Sequence, residues 1–455
     1  MIIMNLHQIS AIVGGNFVGK EARIQGVTTD SRGDCKGKLF VALKGEYFNG
    51  EDYCQAAVEN GAAAVLVANA VEVSVPQLIV KDTLVALQAM ASAWVKQTGV
   101  KVIGVTGSNG KTTVKNMLCS VLSQKFSCFA TQGNFNNEIG VPLSLLSISQ
   151  ENQVAVIEMG AAKIGDIAHL TDIIKPDITL VTNIGDAHIG RFGSVDNIAI
   201  GKAEIYEALD EDGLALINVD SPYQNDFREK VKGRVLTFGM SEGADFRLQK
   251  NTDGYQVVTH RGEKLQLKLP VLGEHNYMNA TVVVAIALSM HLDFSEIATG
   301  LAVFEPEVGR LQWQQINEDL SLINDSYNAN PASVHAAIDV LKEQKKPTCL
   351  ILGDMAELGE YARDMHERVG QYAVKAGLDQ LLVVGEYAQN VCDGSGSTEI
   401  VAESKPIDCQ VFNAVDELMI HIKQNKTRQG TVLVKGSRSM RLERVVEVLA
   451  EGETT

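Results

Sequence analysis

"KVIGVTGSNGKTTVKNML", residues 101–118, is the stretch on which the fold turns. The apolar run at 101–105 reads as a strand, and a glycine-rich turn follows it. Beyond Lys111, Thr112 and Thr113, the residues Val114, Met117, Leu118, Val121 and Leu122 recur on one helical face. Strand, glycine turn and helix N-terminus in that order aim free N–H groups and the positive end of the helix dipole at an anion. The turn is a variant of the usual phosphate-binding loop, which has a glycine five positions before its Gly-Lys pair. Here that position is Val105, and the glycines are Gly104, Gly107 and Gly110. On this reading Gly107, Ser108, Asn109, Gly110 and Thr113 line a phosphate cradle, Lys111 supplies a point charge, and the Thr112 hydroxyl is a magnesium ligand. A plain strand-to-helix turn with a surface lysine competes with it. The doubled threonine and the flanking strand and helix favour phosphate.

The same alternation extends outward. "QVAVIEMG" (153–160) and "DITLVTNIG" (177–185) are further apolar strands between amphipathic helices, which implies βαβ units and a mostly parallel sheet covered on both faces. From about residue 314 the pattern returns in "PTCLILGD" (347–354), "QLLVVGE" (380–386) and "GTVLVKGS" (430–437), each running from a strand into a glycine turn. Ligands of open α/β sheets bind at such carboxyl ends. Before residue 82, short β-like runs such as "KLFVAL" (38–43) and "AAAVLVA" (62–68) lie among turn residues, and the helix-like stretch 82–99 connects them to the loop region. The expected fold class is α/β in three domains: a small α/β domain at 1–82, a central P-loop-type domain with a mostly parallel sheet at 83–313, and a Rossmann-like domain at 314–455.

At 455 residues the chain is too long for one core. Its 45% hydrophobic and 21% charged residues exclude a disordered chain, and the net charge of −16 argues against nucleic-acid or anionic-membrane partners. Seven scattered cysteines form no C-x-x-C pair, so reduced thiols in a cytoplasmic protein are expected. No signal peptide is evident at the start, and "ATVVVAIALSM" (280–290) is too short to span a bilayer and reads as a buried helix.

Glu158 falls at the carboxyl end of its strand, where a magnesium-binding carboxylate of an ATPase belongs, and "TNIGDAHIGRFGS" brings His188 to a comparable edge. Taken singly, a helix N-terminal acid and a loop histidine are equally good readings. Together with the loop they form the outline of a metal–phosphate site.

"TGSNGKTT" resembles the ATP loop of the Mur ligases, the amide-forming enzymes of peptidoglycan precursor synthesis. The resemblance continues through "GVTTDSR" (26–32), "GNFNNEIGVP" (133–142), "GEHNYMNA" (273–280), "INDSYNANP" (323–331), "LGDMAELGE" (352–360) and "LVKGSRSM" (433–440), in the family's order over essentially the whole chain. The loop alone is shared with folylpolyglutamate synthases; "DSYNANP" with "GDMAELG" is more selective, and the absence of the D-N-P-R signature of the enzymes that add the third peptide residue points to the following step. The resemblance implies transfer of the ATP γ-phosphoryl group to the carboxylate of a UDP-N-acetylmuramoyl-tripeptide. D-alanyl-D-alanine then attacks the acyl phosphate, giving ADP, phosphate and a pentapeptide. It implies ATP and two magnesium ions as well. Lys111 and Thr112 would hold the phosphates and first ion; Glu158 and His188 would bind metal. Lys202, in "GKAEIYEAL", matches a lysine that relatives carry as a carbamate, although a solvated helix lysine is the plain alternative. Lys111, His188 and Lys202 would be the catalytic set. Asn279 matches an adenine contact, and Arg310 and Asp325 match residues reaching phosphate and ribose. Thr131, Asn134 and Asn137 would lie near the UDP-linked substrate, Ser31 and Arg32 at its uridine diphosphate, and Asn328, Asn330 and the "GDMAELG" loop at D-alanyl-D-alanine. Two positions depart from the family: Gly190 stands where many relatives have an acid two residues after the metal histidine, and Ala162 where asparagine is frequent. A folylpolyglutamate-type ligase and a nucleotide-gated binding protein remain as alternatives. A monomer acting on small molecules, opening and closing over ATP, completes the expectation.

Overall fold

In the computed structural model, which describes residues 1–396, 407–425 and 429–451, the strand Lys101–Thr106 lies third from one edge of a nine-stranded sheet. From that edge run Cys128–Ala130, Val154–Glu158, Lys101–Thr106, Ile178–Val181, Leu214–Asn218, Arg234–Gly239 and Phe246–Asn251, all parallel. The strands Gly254–Thr259 and Lys264–Leu267 then extend it antiparallel. The first of these two hairpins turns at Thr252-Asp253, between the paired Asn251 and Gly254, and Gly254 has φ 113°.

Side chains alternate between the two faces of this sheet. Ile103, Val105, Val154 and Val156 pack with the helices Lys111–Leu122 and Glu274–Ser289. Val102, Ala155 and Ile157 pack on the other face with Thr83–Thr98, Gly140–Ser147, Asp166–Ile174 and Val195–Glu207. Both faces are therefore dry, which is why these strands read as continuous apolar runs. The five residues expected on one face of the loop helix are all fully buried. At about 1.5–3 kcal/mol each, they hold that helix with roughly 8–15 kcal/mol of gross burial energy. The run at 280–290 is indeed inside a buried helix, apolar all round. Thr83–Thr98 begins where Asp82 accepts from Leu84 N and Val85 N at 2.8 and 3.0 Å, and ends at Gly99 with φ 66°.

The C-terminal sheet has six strands in the order Gln312–Gln315, Leu320–Asp325, Gly430–Lys435, Thr348–Gly353, Gln380–Val384 and Asp408–Phe412. Only the first pair is antiparallel. At the N-terminus, a five-stranded mixed sheet orders Asn16–Val18, Gln77–Ile79, Ala64–Val67, Leu39–Val41 and Val27–Thr28. Its Leu39, Leu66 and Leu78 share one apolar cluster with helix Thr83–Thr98, which seats this sheet on the central one. No helix among the described residues is long and apolar enough to cross a membrane. The cysteines differ from expectation in one place. Cys392, on helix Ala388–Ser395, is joined to Cys409, on the edge strand Asp408–Phe412, with Cα atoms 5.8 Å apart. Tertiary packing brings together two cysteines whose 17-residue separation carries no sequence signal.

Candidate active site

A cleft of about 1990 Å³ lies between the carboxyl ends of the central and C-terminal sheets. It is larger than the roughly 300–1,000 Å³ that houses a single small ligand, so it has room for more than one. Its floor is the glycine-rich turn. Gly107 has φ 147°, and a Cβ there would lie 1.9 Å from Thr182 Oγ1, so only glycine fits. The turn is braced from the next strand's end: Ser108 N donates to Asn183 O at 2.9 Å, Asn109 N to Asn183 Oδ1 at 3.0 Å, and Ser108 Oγ to Gly185 O at 3.0 Å. The Lys111 ammonium folds back on the turn, donating to Gly107 O at 2.7 Å and Ser108 O at 3.3 Å. Burial pushes its pKa down, with Glu158 opposing and Arg310 adding to the shift.

Glu158 is 3% exposed and ties the start of the loop helix to the 131–139 segment. Its Oε2 accepts from Thr112 Oγ1 and its Oε1 from Asn136 Nδ2, each at 2.9 Å, while its own N–H donates to Thr131 Oγ1 at 3.0 Å. Lys115, also buried, donates to Thr131 O at 2.7 Å and so fixes the segment beneath the carboxylate. Thr131 itself, expected at a substrate, is 2% exposed and stands behind Glu158 rather than on the cleft wall. Asn134 and Asn137 do line the cleft.

Across the cleft, Arg310 lies 4.3 Å over the ring of Tyr327 and donates to Thr112 Oγ1 at 3.3 Å. Arg438 lies 5.7 Å from the same ring. Arg310 Nε and the neighbouring Glu307 Oε2 are buried without a hydrogen bond among the described residues, 3.8 Å apart. Asp325 is committed inside the C-terminal sheet: its Oδ2 takes Lys435 Nζ at 2.5 Å and its Oδ1 takes Leu311 N at 3.1 Å. Asn330 caps helix Pro331–Lys342 through Ser333 N at 2.9 Å, and its amide donates to Asn109 Oδ1 at 2.7 Å, tying the two domains at the turn. Asn328 and Asn279 line the cleft as well; a Cβ at Gly110 would meet Asn279 Oδ1 at 2.9 Å.

His188 Nδ1 is paired with Glu357 of the Gly353–Gly359 loop, and Arg191 joins the same carboxylate at 2.7 Å. Lys202 is 1% exposed and does not line the cleft. Its ammonium makes no hydrogen bond among the described residues, and burial, then Lys111, holds its pKa well below the lysine range. Ser31 and Arg32 lie outside the cleft; Arg32 grips Asp30 through two 2.9 Å bonds, which hold that carboxyl at about 2.

Asn136, Lys115, Arg191, Glu357, Tyr327, Arg438 and Lys435 are site residues that sequence reasoning did not single out. Asn136, Lys115, Arg191 and Tyr327 are within a few residues of positions it chose, and Lys435 and Arg438 fall in the segment "LVKGSRSM". Glu357 had a signal in the selective "GDMAELG" segment, though its partner is 169 positions away.

A nucleotide-type loop with a carboxylate at the neighbouring strand end, roofed by a second α/β sheet, defines an enzyme that works in a cleft between two domains. Residues 23–106 match the Mur ligase family catalytic domain, 105–287 the Mur ligase middle domain and 309–438 the Mur ligase glutamate ligase domain. The chain is 37% identical to UDP-N-acetylmuramoyl-tripeptide–D-alanyl-D-alanine ligase of Escherichia coli over 100% of both chains, and 34% identical to the Bacillus subtilis ligase of that name over 99% of both. MurF from Acinetobacter baumannii superposes with a TM-score of 0.90 at 32% identity, covering 99% of each chain. MurF ligase from Thermotoga maritima in complex with ADP superposes at 0.79 and 28% identity, over 94% of this chain and 97% of that one. The chain belongs to the Mur ligase family, whose members are ATP-dependent ligases. Folylpolyglutamate synthase from Mycobacterium tuberculosis, at 16% identity and a TM-score of 0.59, shares the fold alone.

Proposed function

We propose that the chain joins D-alanyl-D-alanine to UDP-N-acetylmuramoyl-tripeptide, with ATP, through an acyl phosphate. The observation that carries this reading is the convergence on one cleft of the Lys111 turn, the Thr112–Glu158 pair and the "DSYNANP" and "GDMAELG" segments. The full-length likeness to ligases of that name supports the substrate assignment. A carboxylate is a poor electrophile; phosphorylation gives it a leaving group, and the amine then displaces phosphate.

A hydroxyl and a carboxylate, both hard oxygen donors, meet at Thr112 and Glu158, while no cluster of three or more His, Cys, Asp or Glu among the described residues forms a metal cage. That donor set fits magnesium, which takes most of its ligands from phosphates and water. When bound, magnesium supplies charge that offsets repulsion between the phosphate chain and the incoming carboxylate. The chain's own residues do the positioning. Gly107, Ser108, Asn109, Gly110 and Thr113 present donors to the phosphates, Lys111 leaves its turn carbonyls for the γ-phosphoryl oxygens, and Arg310 reaches the same group from the far wall. Asn279 faces the adenine and Asp325 lies beneath the ribose. His188 and a carbamate of Lys202 complete a second ion site, for which a neutral buried amine is the required precursor. Asn134 and Asn137 meet the muramoyl substrate, with Thr131 acting through Glu158; Ser31 and Arg32 meet the uridine diphosphate; Asn328 and Asn330 meet D-alanyl-D-alanine.

Residues 1–82, 83–313 and 314–455 divide these tasks into holding the UDP-linked substrate, holding ATP, and closing with the dipeptide. We infer a monomer working in the cytoplasm, checked by light scattering and fractionation. The function itself is tested by phosphate release from ATP with one component omitted at a time. Release that needs both substrates, with a UDP-muramoyl-pentapeptide by mass spectrometry, is expected; release indifferent to both refutes the ligase reading.

A further inference from the structure

The contact between the C-terminal domain and the nucleotide-binding domain is fastened at one carboxylate. Glu357 receives His188 Nδ1 and the Arg191 guanidinium, and its backbone carbonyl accepts from Gly190 N at 2.9 Å. The approach leaves no space at Gly190, where a Cβ would lie 2.6 Å from Gly359 N and 2.8 Å from Glu357 O. That crowding accounts physically for a glycine at position 190. Any side chain at position 190 would block the loop that brings Glu357 to the histidine.

Two further observations mark the contact as built. His188 and Glu357 sit in the left-handed region, at φ 63° and 62°, and they are partners. Non-glycine residues are held there only where their surroundings over-determine them, and such residues concentrate at active sites and switches. Below the polar groups, Ile189 and Phe192 of the central domain are buried in one apolar cluster with Met355, Leu358 and Ala362 of the C-terminal domain. The interface therefore has a packed interior.

A ligating histidine is ordinarily oriented by a hydrogen bond from its other ring nitrogen to a carboxylate or carbonyl, which fixes both tautomer and direction. We propose that Glu357 is a positioning residue for His188, delivered across the domain interface, so that the imidazole is held with Nε2 free to serve the cleft only while the C-terminal domain is docked. Docking and assembly of the His188 site are then one event, and ATP bound before docking meets an unoriented histidine. The loop that carries Glu357 thus has a task separate from reading D-alanyl-D-alanine. This inference rests on the ligase reading above.

The test uses the full-length protein with Glu357→Gln, Arg191→Ala and Gly190→Ala. In metal-free protein labelled with 15N-histidine and held docked by an ATP analogue and UDP-muramoyl-tripeptide, the His188 resonances, assigned by their loss in His188→Gln, should report a single Nδ1–H tautomer in the wild type and a mixture in Glu357→Gln. In the ligase assay, Glu357→Gln should lower kcat and raise the half-saturating magnesium concentration, each roughly 10- to 100-fold. The KM for D-alanyl-D-alanine should stay within about twofold, and Glu357→Asp should restore part of kcat. Arg191→Ala keeps the imidazole's partner and should leave the tautomer unchanged. Wild-type protein should compact in small-angle scattering on addition of an ATP analogue and UDP-muramoyl-tripeptide, and Gly190→Ala should abolish that compaction. A wild-type tautomer and magnesium response in Glu357→Gln, or an effect confined to the D-alanyl-D-alanine KM, overturns the inference. Wild-type enzyme that makes no pentapeptide overturns the ligase reading instead, and the two failures are distinguishable.

Discussion

Lys435→Met strips the counter-charge from a carboxylate that has little else to turn to. Lys435 and Asp325 have side chains 3% and 11% exposed, with Nζ and Oδ2 2.5 Å apart at the adjoining ends of two parallel strands. Without the ammonium, Asp325 keeps one backbone donor, Leu311 N at 3.1 Å, and stays charged in a nearly dry site. Removing one partner of a buried ion pair costs about 3–5 kcal/mol, mostly as the desolvation of the charge left behind. For a domain of roughly 100–150 residues, about 4 °C of midpoint shift accompanies each kcal/mol, so the C-terminal transition should fall by roughly 12–20 °C. Hydrogen exchange of the amides in Leu320–Asp325 and Gly430–Lys435 measures the same loss locally, and calorimetry measures it for the domain. The double variant Lys435→Met/Asp325→Asn removes the stranded charge and should recover more than half of the deficit. A single variant within about 1 kcal/mol of wild type would mean that water already solvates Asp325, and refutes the reasoning. A double variant no better than the single would assign the loss to packing.

Arg310→Lys keeps a positive charge but loses the planar stack on Tyr327 and the reach to Thr112, so the KM for ATP should rise roughly 10-fold or more in steady-state assays while the fold survives unchanged thermal scans. Lys202→Met should stabilise the chain at pH 7–8 in carbon-dioxide-depleted buffer while removing ligase activity. The buried amine's lowered pKa makes the unfolded chain bind a proton that the folded chain rejects, so this penalty shrinks as pH approaches the ordinary lysine value of 10.5. Denaturation midpoints taken between pH 7 and 10 check the sign, and a destabilised Lys202→Met variant at pH 7 would contradict it. His366 is buried as the neutral ring: Nε2 accepts from Met355 N at 2.9 Å, and burial lowers its pKa below 6.5. The stability it gives the Met355 segment is therefore complete above pH 6.5 and lost as pH falls through the depressed value. Exchange of the Met355 amide should quicken, relative to its intrinsic pH dependence, on going from pH 7 to pH 5, and this pH-linked change should vanish in His366→Gln.

Whatever depends on near neighbours along the chain is legible in the sequence. The strand, turn and helix at 101–122 follow from apolar periodicity and glycine placement, and the central and C-terminal strands follow from runs that only a sheet buried on both faces makes. What stays hidden depends on the tertiary path. Glu357 reaches His188 from the other domain, and Asn109 meets Asn330 across the cleft. Thr131 and Asp325 read as direct ligand contacts because sequence does not report that one lies behind Glu158 and the other is held by Lys435. Gly190 is the instructive case: a missing acid looks like a loss, and it is the opening through which another acid enters.

The cleft lining balances six Lys and Arg side chains against six Asp and Glu among the described residues, whereas the whole chain carries −16. The excess negative charge therefore sits on the outer surface, and ATP and a UDP-linked peptide approach a molecule that repels them until they are inside. Salt acts on these two ranges differently. At an ionic strength of 0.15 M the screening length is about 8 Å, shorter than the approach but longer than the contacts at Lys111 and Arg310. Moderate salt thus mutes the outer repulsion while sparing the inner attraction, and capture of substrate by this acidic protein should be faster at cellular ionic strength than in dilute buffer.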